Sequence, residues 1–250
     1  MSLKHSYTES SLINFKKIKE RVLYSDKTID NLAEMLANII SNLKGATLIV
    51  ATGGSVVVAE FLKKVLERYN IICEVIEPRT FNYKENIASF ENLFCISYSG
   101  RTNGISNALE KFRGNKYLIT GSNKVEDSKT VLLQYNMVDK EKSFVSLATT
   151  LIPMSLFLKS NEIINGTYKS EEMHEFLDYC FENSKYYENY PLNFQGLNIE
   201  IMSGYDTSCA AKTLESNLVE TGTTPAVVHD KVSFCHGRSN LINNNPTRKI

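Results

Sequence analysis

Three hydroxyl side chains, Ser97, Ser99 and Thr102, surround Gly100 within the six residues Ser-Tyr-Ser-Gly-Arg-Thr. The apolar run Leu-Phe-Cys-Ile leads into them, and an amphipathic pattern carrying Ile105, Ala108, Leu109 and Phe112 follows. A strand that ends in such a loop and passes into a helix presents backbone N–H groups without intrahelical partners, at the positive end of the helix dipole. The hydroxyls add donors, and the glycine lets the backbone come close. The chemistry that suits this arrangement is the holding of an anion, a phosphate monoester above all. A serine-rich helix cap is the plainer alternative. The spacing is not the G-x-x-x-x-G-K-[ST] of a nucleotide-hydrolysing loop.

A second loop, Thr52-Gly53-Gly54-Ser55, has the same character and follows the apolar run Thr47–Thr52. It is consistent with a phosphate-side turn and equally with a tight turn and helix cap. The elements around both loops alternate. Apolar runs at 47–52, 73–77, 93–97, 116–120 and 131–135 read as five strands, the first continuous enough to be buried on both faces. Helical patterns separate them, with Val58, Phe61, Leu62, Val65 and Leu66 on one face after the first loop. Strands alternating with helices imply a parallel sheet covered on both faces, with ligands at the carboxyl ends of the strands. Both loops fall there.

Ahead of the first strand, Ile29, Leu32, Leu36, Ile39, Ile40 and Leu43 recur at helical spacing, with Thr28 as the expected N-cap and Gly45 as the stop. From Phe144 the pattern is helical again. After Pro191 and Gly196 the segment from Leu197 to Glu220 repeats the plan of strand, glycine-serine loop and helix, Ile201–Gly204 echoing Val50–Gly53. This gives N-terminal helices over 1–45, a first α/β domain over 46–165, and a helical connector with a second, partial unit over 166–250. The second copy is expected to be incomplete, because only fifteen residues follow Cys235. His229 and Asp230 are adjacent, so they do not converge on one metal or form a dyad, and a surface loop is expected for them.

Composition narrows the partners. The chain has 250 residues, 28 basic and 28 acidic, without the basic excess that a nucleic-acid binder shows. Cys73, Cys95, Cys180, Cys209 and Cys235 are odd in number and lack C-x-x-C spacing, which suits a reduced cytoplasmic protein without a zinc site. No stretch approaches the ~18 apolar residues of a membrane span. The first twenty residues contain no apolar core of signal-peptide type.

Apolar strand, S-x-S-G-x-T and amphipathic helix together resemble the signature of the sugar isomerase (SIS) domain family. The resemblance implies a three-layer α/β fold with a five-stranded parallel sheet flanked by helices, a phosphosugar or amino-sugar phosphate as ligand, and no metal or organic cofactor. Thr52–Ser55 is similar to the family's first glycine-serine loop. The resemblance thus implies ligand contacts from Gly54, Ser55, Ser97, Tyr98, Ser99, Gly100 and Thr102. Glu141–Leu151 is similar to the segment that crosses into the second SIS unit, where Ser146 matches a serine near the ligand.

The later part of the chain is similar to the isomerase half of glucosamine-6-phosphate synthase. Glu220 and His236, sixteen residues apart, stand at the positions of its helix-end glutamate and loop histidine. The resemblance implies that Glu220 carries a proton between C1 and C2 through an enediol, and that His236 opens the sugar ring. Read from the residues alone, Glu220 is also consistent with a helix-end surface charge, Glu215 is a second candidate base, and His236 is consistent with a loop hydrogen bonder. Arg238 replaces a proline of the family's turn, Tyr98 replaces a smaller or amide residue, and Lys249 does not match the family's C-terminal lysine. No glutaminase domain precedes the SIS region, so glutamine-dependent amination by this chain alone is not expected. The implied activity is a phosphosugar isomerase or deglycase; the alternative is a phosphosugar-binding regulator without catalysis. A homodimer is expected, because the synthase's histidine loop reaches a neighbouring subunit.

Overall fold

A computed structural model describes residues 17–122, 129–137, 139, 141, 146–188, 197–235 and 248–249. The chain forms two compact units, one of Met1–Lys142 and Ser146–Ser184, the other of Ser143–Val145 and Lys185–Ile250.

The first unit opens with helix α1 over 17–28 and α2, Asp30–Asn42. Thr28, expected as the cap of α2, instead ends α1, where its hydroxyl donates to the Ser25 carbonyl at 2.9 Å. A threonine in a last helical turn finds a carbonyl one turn back, and that local bond prevails over capping the next helix. There follow β1 (Ala46–Ala51), α3 (Ser55–Glu67), β2 (Cys73–Ile76), the short α4 (Pro78–Phe81), β3 (Phe90–Ile96), α5 (Asn103–Lys111), β4 (Asn115–Thr120), β5 (Thr130–Gln134), α6 (Ala148–Ile164) and α7 (Ser170–Glu188). The five strands form one sheet in the order β2-β1-β3-β4-β5, and every pairing is parallel. The expected five-stranded α/β sheet is present, each strand within a few residues of its expected limits.

The strand side chains alternate between the faces, as the period of two requires. Ile49, Ala51, Phe94, Ile96 and Ile119 share a core with Leu36 of α2, Leu62 of α3 and Leu156 of α6. Leu48, Val50, Leu93, Cys95 and Leu118 share the opposite core with Phe81 of α4 and Ile105 and Leu109 of α5. Helices α3 and α5 therefore lie on opposite faces. The strand order reverses direction between β1 and β3, and in open α/β sheets that switch point is where a ligand crevice opens.

A buried polar cluster ties the N-terminal helices to the unit. Lys159 of α6 is fully buried. Its ammonium donates to the Asp26 carbonyl and to Asp30 Oδ1, both at 2.7 Å, and lies 3.0 Å from Asp26 Oδ1. Ser155 donates to Asp26 Oδ1 at 3.0 Å, Tyr168 to Asp30 Oδ1 at 2.6 Å and Ser170 to Asp30 Oδ2 at 2.9 Å. His174 of α7 stands 3.3 Å from Asp26 Oδ2.

The second unit contains β6 (Asn198–Ser203), α8 (Ser208–Glu220), β7 (Ala226–Asp230), the single turn α9 (Lys231–Ser233) and β8 (Arg248–Lys249). Its sheet runs β7-β6-β8 and is parallel throughout. That is the arrangement of β2-β1-β3, with α8 following β6 as α3 follows β1. The repeat seen weakly in the residue types is thus a repeat of topology.

Candidate phosphate-binding site

Strands β1 and β3 pair in parallel up to Ala51 and Ile96, so the loops that leave them emerge side by side at one edge of the sheet. The first loop turns at Gly53, whose φ of +57° favours glycine. A Cβ on Gly53 or Gly54 meets nothing within 4 Å, so bare backbone faces open space there. Ser55 begins α3, half-buried, behind a Gly54 cap that has no side-chain bond to the helix.

The second loop is tighter. Ser97 is buried, with its N–H donating to the Ile119 carbonyl at 3.1 Å. Gly100 closes the turn by donating to the Ser97 carbonyl at 3.2 Å, at a φ of +64°. Ser97 Oγ and Thr102 Oγ1 lie 3.5 Å apart, and exposed Ser99 accepts from the Arg101 N–H at 3.3 Å. Thr102 is the N-cap of α5, yet its hydroxyl makes no bond to the helix. A serine-rich cap spends its oxygens on the first-turn N–H groups; here these hydroxyls turn toward each other and the loop. Gly104, not anticipated from the sequence, brings the first turn of α5 against Pro78, where a Cβ stands 2.4 Å from the proline Cβ.

Tyr98 is half-buried. Its carbonyl accepts from the Gly121 N–H at 3.1 Å and the Thr120 hydroxyl at 3.0 Å. Its ring covers Gly121, where a Cβ lies 2.6 Å from Tyr98 Cε2. Burial raises the phenol pKa, and the nearby charge of Glu141 adds to the rise.

Ser146 is exposed just ahead of α6, and its carbonyl accepts from the Thr150 hydroxyl at 3.3 Å. The N-terminus of α6 is filled by Glu141, a residue that sequence reasoning did not single out. Its buried carboxylate accepts from the N–H groups of Leu147 at 2.8 Å, Ala148 at 3.0 Å and Thr149 at 3.4 Å. A glutamate seven residues ahead of Ala148, the first residue of the helix, was the available signal.

In the second unit, Glu220 is the last residue of α8, exposed, and accepts from the Ser216 hydroxyl at 2.7 Å. Glu215 is half-buried on the same helix. His236 and Arg238 lie outside the described residues. His229 is not on a surface loop: it lies in β7, buried, with Nε2 hydrogen-bonded to Glu200 of β6 and its ring tilted against Phe234 at 5.3 Å. The apolar neighbours Val227 and Val228 make Ala226–Asp230 a strand, and the register of β7 on β6 delivers the partner. Among the described residues, no group of three or more His, Cys, Asp or Glu side chains is placed to hold a metal ion, and no helix is long and apolar enough to cross a membrane.

No family model matches the sequence, and no curated protein matches it. Solved structures do match its fold. The tagatose-6-phosphate ketose/aldose isomerase of Escherichia coli aligns with a TM-score of 0.75 at 14% identity, over 94% of this chain and 70% of that one. The C-terminal domain of glucosamine-fructose-6-phosphate aminotransferase from Francisella tularensis aligns at 0.71 and 15% identity, over 100% of this chain and 77% of that one. The glucosamine-6-phosphate deaminase of Thermotoga maritima aligns at 0.65 and 15% identity, over 91% and 73%. At such identities the likeness is one of fold. In strand order, in the placing of its two glycine-serine loops and in its match to these structures, the chain has the sugar isomerase (SIS) fold that the Ser97–Thr102 motif implied.

Proposed function

We propose that the chain is a phosphosugar isomerase or deglycase acting on an aldose- or ketose-6-phosphate or its amino derivative. The observation that carries this reading is the uncapped N-terminus of α5, with Ser97, Ser99 and Thr102 gathered around it. The phosphate rests on the donors of that helix end and on Gly54 and Ser55 across the switch point. Tyr98 walls the loop, and Ser146 adds a hydroxyl from the start of α6. His236 moves the proton that opens the ring. Glu220 takes a proton from one of C1 and C2 and returns it to the other, so the carbonyl changes place through an enediol without an outside oxidant or reductant. The working protein is a cytoplasmic homodimer.

A second reading, a phosphosugar-binding regulator, uses the same loop without the proton transfer. The exposed position of Glu220 and its hydrogen bond to Ser216 favour it. Incubation with glucose 6-phosphate, fructose 6-phosphate and glucosamine 6-phosphate in deuterated water separates the two. Deuterium entering C1 or C2 of a bound phosphosugar supports the enzyme; binding of phosphosugars with no exchange in any of them selects the regulator.

A further inference from the structure

The start of the Ser97–Thr102 loop is anchored on the end of β4. The Ser97 N–H donates to the Ile119 carbonyl at 3.1 Å. The Tyr98 carbonyl accepts twice, from the Gly121 N–H at 3.1 Å and from the Thr120 hydroxyl at 3.0 Å, which occupies both of its lone pairs. Thr120 is fully buried. It closes β4 opposite Gln134 of β5, and its carbonyl takes the Tyr135 N–H at 3.0 Å. Its hydroxyl also accepts from the Ser122 N–H at 3.1 Å, so the side chain is held from both sides. Gly121 makes room for this contact: a Cβ there lies 2.6 and 2.7 Å from Tyr98 Cε2 and Cδ2.

We infer that Thr120 is a positioning residue for phosphate binding: by holding the Tyr98 carbonyl it aims the Ser99 N–H at the ligand. A trans peptide is planar, with its C=O and N–H in opposite directions, and no described peptide bond is cis. The carbonyl of the Tyr98–Ser99 peptide points to β4, so its N–H, which belongs to Ser99, points away from β4. Ser99 is exposed, and its N–H has no acceptor among the described residues. A donor already fixed in direction needs no reordering when a phosphate oxygen arrives, and hydrogen bonds to charged oxygens are among the stronger ones. The Ser99 hydroxyl accepts from the Arg101 N–H and keeps its own proton for the same ligand. The inference rests on the phosphosugar reading above and deepens it, naming a residue outside the loop that sets the loop's binding geometry.

The test compares wild type with Thr120→Val, which keeps the shape and removes the hydroxyl, and Thr120→Ser, which restores it. Affinity for glucose 6-phosphate is measured by calorimetry, stability by thermal melting, and the loop amides by NMR with added glucose 6-phosphate or inorganic phosphate. Thr120→Val is expected to bind glucose 6-phosphate about tenfold more weakly, and Thr120→Ser to bind it as wild type does. The Ser99 amide proton of wild type is expected to move downfield with either ligand, and to move less in Thr120→Val. A lower melting temperature in Thr120→Val with unchanged affinity overturns the proposal and leaves Thr120 a structural residue. A Thr120→Ser protein that binds as weakly as Thr120→Val also overturns it, since the hydroxyl is then not what matters. If Thr120→Val does not fold, wild type still decides: a Ser99 amide unmoved by ligand while other loop amides respond overturns the proposal. Failure of wild type to bind glucose 6-phosphate, fructose 6-phosphate or glucosamine 6-phosphate is a different result, and overturns the functional reading together with the role that rests on it.

Discussion

Ser97 is held by its own backbone at the end of β3, while Ser99 is free to present its hydroxyl at the surface, so the two serve different ends. In the proposed site the first shapes the loop and the second meets the phosphate. The proposed function gives catalysis to Glu220 and His236, and their substitutions are expected to differ. Glu220→Gln keeps phosphosugar affinity and abolishes exchange of the C1/C2 hydrogen with deuterated solvent, since an amide preserves the hydrogen bonding and has no basicity. His236→Asn slows turnover of cyclic substrate and spares a substrate locked in open-chain form. General acid–base groups contribute about 10²- to 10⁴-fold, so proton NMR of the sugar reads either loss. Undiminished exchange in Glu220→Gln moves the base, with Glu215 next in line. The residue types of the phosphate loop were legible because they cluster within six positions. The bond from Glu141 to the α6 N–H groups and the pair of Glu200 with His229 were not, because the first depends on how a loop folds back and the second on a strand register that joins residues 29 apart.

At the scale of elements, the five strands were legible from their apolar runs, and their ends were not. β3 begins at Phe90, through polar Glu91 and Asn92, because Phe90 and Asn92 pair with Ala46 and Thr47 of β1, and pairing is invisible in one strand's composition. The clamp on α1 and α2 was equally hidden, since Lys159 stands in an apolar run with its partners more than a hundred residues away. Removing one partner of a buried ion pair costs roughly 3–5 kcal/mol, so Lys159→Ala is expected to lower stability by that order in chemical denaturation. The pH dependence has two limbs. Burial acts to raise the Asp30 pKa, but the bonds from Lys159, Tyr168 and Ser170 outweigh it and hold the carboxyl below its ordinary 3.8. Its contribution is therefore complete above that value and is lost as pH falls through the lowered one. Burial acts to lower the Lys159 pKa, but Asp30 and Asp26 raise it above 10.5. That contribution is complete below 10.5 and is lost as pH rises through the raised value. Wild type is expected to lose stability at both extremes and Lys159→Ala to lose less at each; equal losses contradict the assignment.

Taken whole, the chain builds one complete parallel sheet and sets beside it in sequence a second that repeats the order of its first three strands. The exposed apolar side chains of the second unit, Met202, Leu214, Val219 and Val227, suit a surface covered by another copy. Sedimentation at micromolar concentration is expected to show a dimer, and a monomer that still binds phosphosugar contradicts that assembly. The central claim is that phosphate, held by the Ser97–Thr102 loop, supplies the main binding handle. Calorimetric titration of wild type and Ser99→Ala with glucose and with glucose 6-phosphate tests it most directly. A hydrogen bond to a charged group contributes about 1.5–3 kcal/mol, so glucose 6-phosphate is expected to bind wild type far more tightly than glucose, and Ser99→Ala to weaken only the phosphorylated sugar, by about tenfold or more. Equal affinity of wild type for glucose and glucose 6-phosphate contradicts the account.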